Sequence, residues 1–175
     1  MVVVSSVAMP RAMGISVHTG WGACVVVGGS LAKPEIIANE VIRILDDSER
    51  FCFHMAAEMK RAAAETWIAT AKRKATANAR RALAPLFAKD VRVCAIVAKE
   101  GIPGSLDETL ASHPRLHTAE GCFYRDVFRD ASPIRAEVVP PARLDVSTVG
   151  KLAPAPWGRD QKLAALAAWL VMRNS

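Results

Sequence analysis

Residues Met13 to Gly29 read Met-Gly-Ile-Ser-Val-His-Thr-Gly-Trp-Gly-Ala-Cys-Val-Val-Val-Gly-Gly, and this stretch decides the fold. Two runs rich in β-branched residues are broken at Gly20 and Gly22 and closed by Gly28-Gly29-Ser30, the pattern of a hairpin. A third strand is predicted over Pro34 to Leu45, rich in Ile and Val, before the turn-forming Asp46-Asp47-Ser48. The chain therefore opens with three sequential antiparallel strands.

Downstream, Ala56 to Lys89 is dominated by strong helix formers and predicts the longest element, with Pro85 kinking or ending it near its last turn. Val91 to Ala98 is a short valine-rich run, the form of a strand covered on both faces, and is followed by Lys99-Glu100-Gly101. Ser105 and Glu108 have capping-box spacing for a short helix that is expected to stop at His113-Pro114. Thr118-Ala-Glu120 is expected to open another helix, running through Phe123, Val127 and Phe128 toward Ser132-Pro133. Ile134 to Val139 reads as a last strand ended by Pro140-Pro141, and Leu163, Leu166, Ala167 and Leu170 supply the apolar stripe of a final helix.

Composition is that of a folded globular chain: 175 residues, 51% hydrophobic and 23% charged. One domain over residues 13–175 is expected, with residues 1–12 a flexible tail or a misassigned start. Val2 to Val4 has no basic residue before it and makes a poor secretory signal; no apolar run approaches the roughly 20 residues of a membrane span. Cys24, Cys52, Cys94 and Cys122 lie far apart within apolar stretches, without metal-ligand spacing, and read as buried free thiols in a reducing cytoplasm. The net charge of +6 suits an acidic partner such as nucleic acid or a phosphorylated ligand. Its cations cluster on the long helix, where Lys72, Arg73, Lys74, Arg80 and Arg81 form either a nucleic-acid surface or a solvated face.

Three strands, a helix, a strand, a helical region, a strand and a helix make an order that resembles the ribonuclease H-like fold. The resemblance implies an α/β domain: a mixed five-stranded sheet of three antiparallel strands and two parallel additions, flanked by helices. Met13-Gly-Ile-Ser-Val-His-Thr-Gly20 looks like the first-strand segment of Holliday-junction resolvases and actin-like ATPases. Val138-Val-Pro-Pro141, followed by Gly158-Arg-Asp-Gln-Lys162 and an alanine-rich helix, looks like the end of the resolvases. Over its full length the chain resembles bacterial proteins of this fold with degenerate resolvase-like motifs. A second likeness, to the middle domain of eukaryotic and archaeal peptide release factors, rests on element order alone.

In such a fold the first and fourth strands are neighbours, with a crevice at their carboxyl ends. His18 ends the first strand, Glu100 ends the fourth and Asp160 opens the last helix, so the three are candidates to converge, with Glu120 as a further acid. The resemblance implies magnesium or manganese held by Glu100, Asp160 and His18, because hard cations that clamp a phosphate prefer oxygen ligands. Where the nucleases carry an aspartate on the first strand, this chain has Ser16, and imidazole favours softer metals. His117, Arg125 and Arg159 are candidate anion ligands, and Trp157 beside Arg159 is a candidate base-stacking platform. His54, among Phe51, Phe53 and Met55, reads as a packed histidine. Two functions stay open: a divergent metal-dependent nuclease or phosphodiesterase, and a non-catalytic module binding nucleic acid or protein, with self-association open in both.

Overall fold

The structure is a computed structural model and describes residues 10–30 and 32–174. Strands β1 (Arg11–His18) and β2 (Trp21–Gly29) pair antiparallel, with Ile15 opposite Cys24 and His18 opposite Trp21. Gly20 makes the turn between them with φ of 84°, a conformation that a side chain resists, and a Cβ there would lie 2.7 Å from Arg50 Cβ. Strand β3 (Pro34–Arg43) adds antiparallel to β2; β4 (Val91–Val97) adds parallel to β1, and β5 (Ala136–Val139) parallel to β4. The sheet order β3-β2-β1-β4-β5 sets β1 at the centre, which is the ribonuclease H-like arrangement.

Because successive strand residues point to opposite faces, the central strands sort into two cores. Met13, Ile15, Cys24, Val26, Cys94 and Ile96 face one side, with helices α1 (Cys52–Ala57), α2 (Arg61–Phe87) and α4 (His113–Ala131). Ala12, Val25, Val27, Ala95 and Val97 face the other, against Leu163, Ala164, Ala167 and Ala168 of α5 (Arg159–Arg173). Double coverage explains why β1, β2 and β4 read as continuous apolar runs.

One close approach fixes α5. A Cβ on Gly14 would stand 1.8 Å from the backbone oxygen of Ala164, so the helix can lie this near β1 only because position 14 is glycine. Residues 12, 14, 16 and 18 share that face. From Gly14 to Ser16 the strand advances about 6.6 Å, and from Ala164 back to Asp160 the helix advances about 6 Å. The helix turn before Ala164 therefore brings Asp160 over Ser16 and His18.

Several element boundaries differ from expectation. β1 begins at Arg11, and Ala12 is fully buried under α5; the first nine residues of the expected tail lie outside the described residues. The helix expected over Ala56 to Lys89 is two helices, separated by the extended Lys60, and Pro85 sits in the last turn of α2, which ends two residues later. The short helix α3 (Leu106–Leu110) carries the capping box, with Glu108 N–H donating to Ser105 Oγ and Ser105 N–H donating to Glu108. His113-Pro114 opens α4 instead of closing a helix, because proline in a first turn gives up no intrahelical hydrogen bond. Thr118 is consequently inside α4, its hydroxyl donating to Pro114 O.

Candidate functional site

A cavity of about 380 Å³ opens at the carboxyl ends of β1 and β4, beneath the first turn of α5. Ser16, His18 and Thr19 come from β1 and its turn, Lys99 follows β4, Glu120 and His117 come from α4, and Arg159 and Asp160 from α5. His18 Nε2 donates to Asp160 Oδ1 at 2.8 Å, and the buried Ser16 hydroxyl donates to the same oxygen at 3.4 Å. Since a carboxylate accepts only, the ring nitrogen facing it carries the proton, leaving Nδ1 as the basic nitrogen of a neutral ring. His18 is also stacked on its cross-strand partner Trp21, ring centroids 4.2 Å apart and planes within 7°. Asp160 stands in the first turn of α5, where the helix dipole favours negative charge. Its side chain is 30% exposed and that of His18 39%, so water and a ligand can reach the pair.

A second histidine and carboxylate meet deeper in the same region. Glu120, 2% exposed, accepts on Oε1 from His54 Nδ1 at 2.9 Å and from the His54 backbone N–H at 3.4 Å. The His54 ring lies edge-on to His113 and His117, at centroid distances of 5.1 and 4.7 Å. His113 and His117, one helical turn apart on α4, bring their Nε2 atoms within 3.1 Å. His54 is packed against these rings and Phe51, and a side-chain hydrogen bond to a buried acid sets its orientation. Below it, the Tyr124 hydroxyl donates to Arg50 O at 2.6 Å, and burial raises its pKa above the ordinary value.

Glu100 does not join Asp160. β4 ends at Val97, and three residues further on Glu100 is exposed in an adjoining cleft of about 200 Å³ with Gly101, Thr118 and Cys122. The wall between the two clefts includes Lys99 and His117, which line both. Arg125 is turned away, its Nε on Asp126 Oδ1 and its Nη1 on Gly101 O. Trp157 donates to Gly150 O at 2.8 Å and packs against the α5 core, so its ring is not a free stacking platform.

The cations of α2 are occupied locally. Lys74 pairs with Glu49, Lys72 with Asp130, Arg73 with Thr70, Arg80 with the Asp130 backbone and Arg81 with Asn78. Lys72, Arg73 and Arg80 still border a shallow cleft on the outer face of the helix. The four cysteines are free and buried; burial pushes the Cys52 and Cys94 thiols up to about 12, and the Cys24 thiol is raised further, so none of these three is a nucleophile near neutral pH.

A pair of magnesium ions does not fit this donor set. Ser16 offers only a neutral hydroxyl, Glu100 lies in the adjoining cleft, and the acids that line the pocket, Asp160 and Glu120, each face a histidine. Among the described residues, the group whose donor atoms come together as three is His54, His113 and His117. Of these, His117 was an anion-ligand candidate. The i, i+4 spacing of His113 and His117 is a sequence signal for the pair once both are placed in one helix. No local signal points to Glu120 as the partner of His54, 66 positions away.

Solved structures that resemble the chain include two of one protein. One is T. thermophilus RuvC in complex with a Holliday junction substrate, 14% identical, matched over 94% of each chain with a TM-score of 0.48. The other is Thermus thermophilus RuvC by itself, also 14% identical, covering 94% of this chain and 95% of that one with a TM-score of 0.45. No protein-family model matches the chain, and no curated protein does.

Proposed function

We propose that the strand-end pocket binds the phosphodiester backbone of nucleic acid and hydrolyses it, with His18 as general base. The observation that carries this reading is the His18–Asp160 pair, open to solvent and set in one cavity with Lys99 and Arg159. Asp160 orients the ring and stabilises the imidazolium that forms when Nδ1 takes a proton from the attacking water. Lys99 and Arg159 supply counter-charge for the phosphoryl oxygens, where negative charge grows as the attacking and leaving oxygens exchange places. Ser16 holds the second donor to the Asp160 carboxylate, which restricts its rotation.

The test is cleavage of labelled single-stranded, duplex and four-way-junction DNA, and of RNA, alongside a binding titration on the same probes. His18→Ala and Asp160→Asn should each lower turnover about 100-fold or more, with affinity within a few-fold of wild type. Repeating the assay with added magnesium or manganese shows whether an ion, for which Asp160 and Glu120 are the available acids, adds to the rate. Binding without any turnover in the wild type would replace this reading with a non-catalytic binding module, which Ser16 in the place of a first-strand aspartate favours. In that case Lys72→Gln, Arg73→Gln and Arg80→Gln show whether α2 is the contact, through a shallower dependence of log affinity on log salt.

A further inference from the structure

We propose that His54, His113 and His117 form a binding site for a zinc ion, with Glu120 as the outer carboxylate that orients His54. The assignment stands apart from the phosphodiesterase reading and needs no turnover to be true. One donor nitrogen from each ring lies within 4.8 Å of the other two. The His113 and His117 Nε2 atoms are 3.1 Å apart. Two nitrogens on a tetrahedral zinc with bonds of roughly 2.0–2.1 Å stand about 3.3 Å apart. Closing the third ring onto that geometry calls for side-chain rotation at His113 and His117, both of which are exposed.

Glu120 supplies the independent observation. Its carboxylate is nine-tenths buried or more, and the donors that reach it are the ring and backbone N–H groups of His54. A buried carboxylate needs positive charge nearby, and two hydrogen bonds from one histidine are modest compensation for its lost hydration. A dication on the far side of the His54 ring supplies that charge. The same hydrogen bond fixes the tautomer, because Nδ1 carries the proton toward Glu120 and Nε2 keeps its lone pair for a metal. Histidines that bind metals are held this way by carboxylates, which fix ring orientation and raise ligand basicity.

The ligand chemistry selects the ion. Three neutral imidazoles suit zinc over magnesium or calcium, which prefer oxygen. Three protein ligands leave a fourth tetrahedral position for water or a ligand oxygen. Because His117 and Glu120 also line the strand-end pocket, an ion held here would stand at the wall of that cavity.

The experiment is calorimetric titration of the chelator-treated full chain with Zn²⁺, with Co²⁺ in parallel to read coordination geometry from its visible absorption. Wild type should take up one ion at roughly micromolar concentration or below, and the cobalt form should show the intense bands of a tetrahedral site. The His113→Ala, His117→Ala double variant should lose uptake; both side chains are exposed, and an unchanged metal-free melting curve certifies its fold. Glu120→Gln keeps the shape and should weaken binding about 10–100-fold, whereas Asp160→Asn should bind as wild type does. Absence of uptake by wild type, equal uptake by the double variant, or loss of uptake in Asp160→Asn would each overturn the assignment, without bearing on whether the strand-end pocket cleaves a phosphodiester.

Discussion

His18 with Asp160 and His54 with Glu120 are chemically the same pair, an imidazole N–H on a carboxylate at 2.8 and 2.9 Å, built in two regions that differ in depth. The first closes a strand end against a helix start and leaves both partners about a third exposed. The second lies between α1 and α4, with its acid sealed from solvent. Depth decides what each pair can do. An exposed pair is worth little to the fold and can exchange protons with a ligand; a buried one is costly to break and acts by holding a ring still. The difference separates a candidate for chemistry from a candidate for positioning.

The largest expected effect comes from breaking one region's support while sparing the other's. Gly14→Ala drives a methyl group into the Ala164 carbonyl, a backbone-to-backbone collision that no side-chain rotation relieves. We expect a loss of more than about 4 kcal/mol by urea unfolding, the range reserved for specific overpacking or burial defects. In whatever fraction stays folded, α5 must move from β1, so the His18 ring resonance should shift while that of His54 stays in place. A mild cost, or equal shifts in both rings, would mean that Gly14 does not set the register of Asp160 over β1.

Truncating the two acids compares the pairs directly. Glu120→Ala leaves the His54 ring without its acceptor and opens a hole beneath α4, and should cost about 3 kcal/mol. Asp160→Ala should cost less than about 1 kcal/mol, since water replaces the carboxylate at a half-open site. Glu120→Gln should recover most of the loss by keeping an acceptor in place. Equal costs for the two alanine variants, measured by denaturant unfolding at neutral pH, would remove the distinction by depth.

Legibility in the sequence follows the same division between near and far. The hairpin from Met13 to Gly29 carries its own two apolar runs and its own turn glycine, so the pairing of β1 with β2 was readable, and His18 could be placed on the Ser16 face from spacing alone. The capping box at Ser105 was readable because both of its members lie within three positions. Asp160 was placed near β1 by the resemblance to resolvases, and Gly14 supplies the physical reason it arrives there. Glu100 was misplaced because the run of apolar residues did not show that β4 stops at Val97, three residues before it, and that Glu100 then lines a different cleft. The start of α4 was missed because a rule about residues before proline outweighed the tolerance of a first turn for proline itself. His54 and Glu120 are joined across 66 positions by packing between helices, which no local pattern encodes.

The smallest expected effect tests how His18 is held. Besides the Asp160 hydrogen bond, the ring has Trp21 stacked flat beneath it as a cross-strand pair, which in a sheet contributes about 0.2–1 kcal/mol. Trp21→Leu keeps an apolar side chain on β2 and removes the flat surface. Stability should fall by about 0.5 kcal/mol, and cleavage should fall by a few-fold with little change in affinity, because the ring is then held in one orientation less firmly. Asp160→Asn in the same background should add a further large loss if the hydrogen bond is the main restraint. If Trp21→Leu alone removes turnover as fully as Asp160→Asn, the indole is a contact for the nucleic acid as well as a support for His18, and the exposed pair then works with a flat stacked ring where His54 meets its neighbouring rings edge-on.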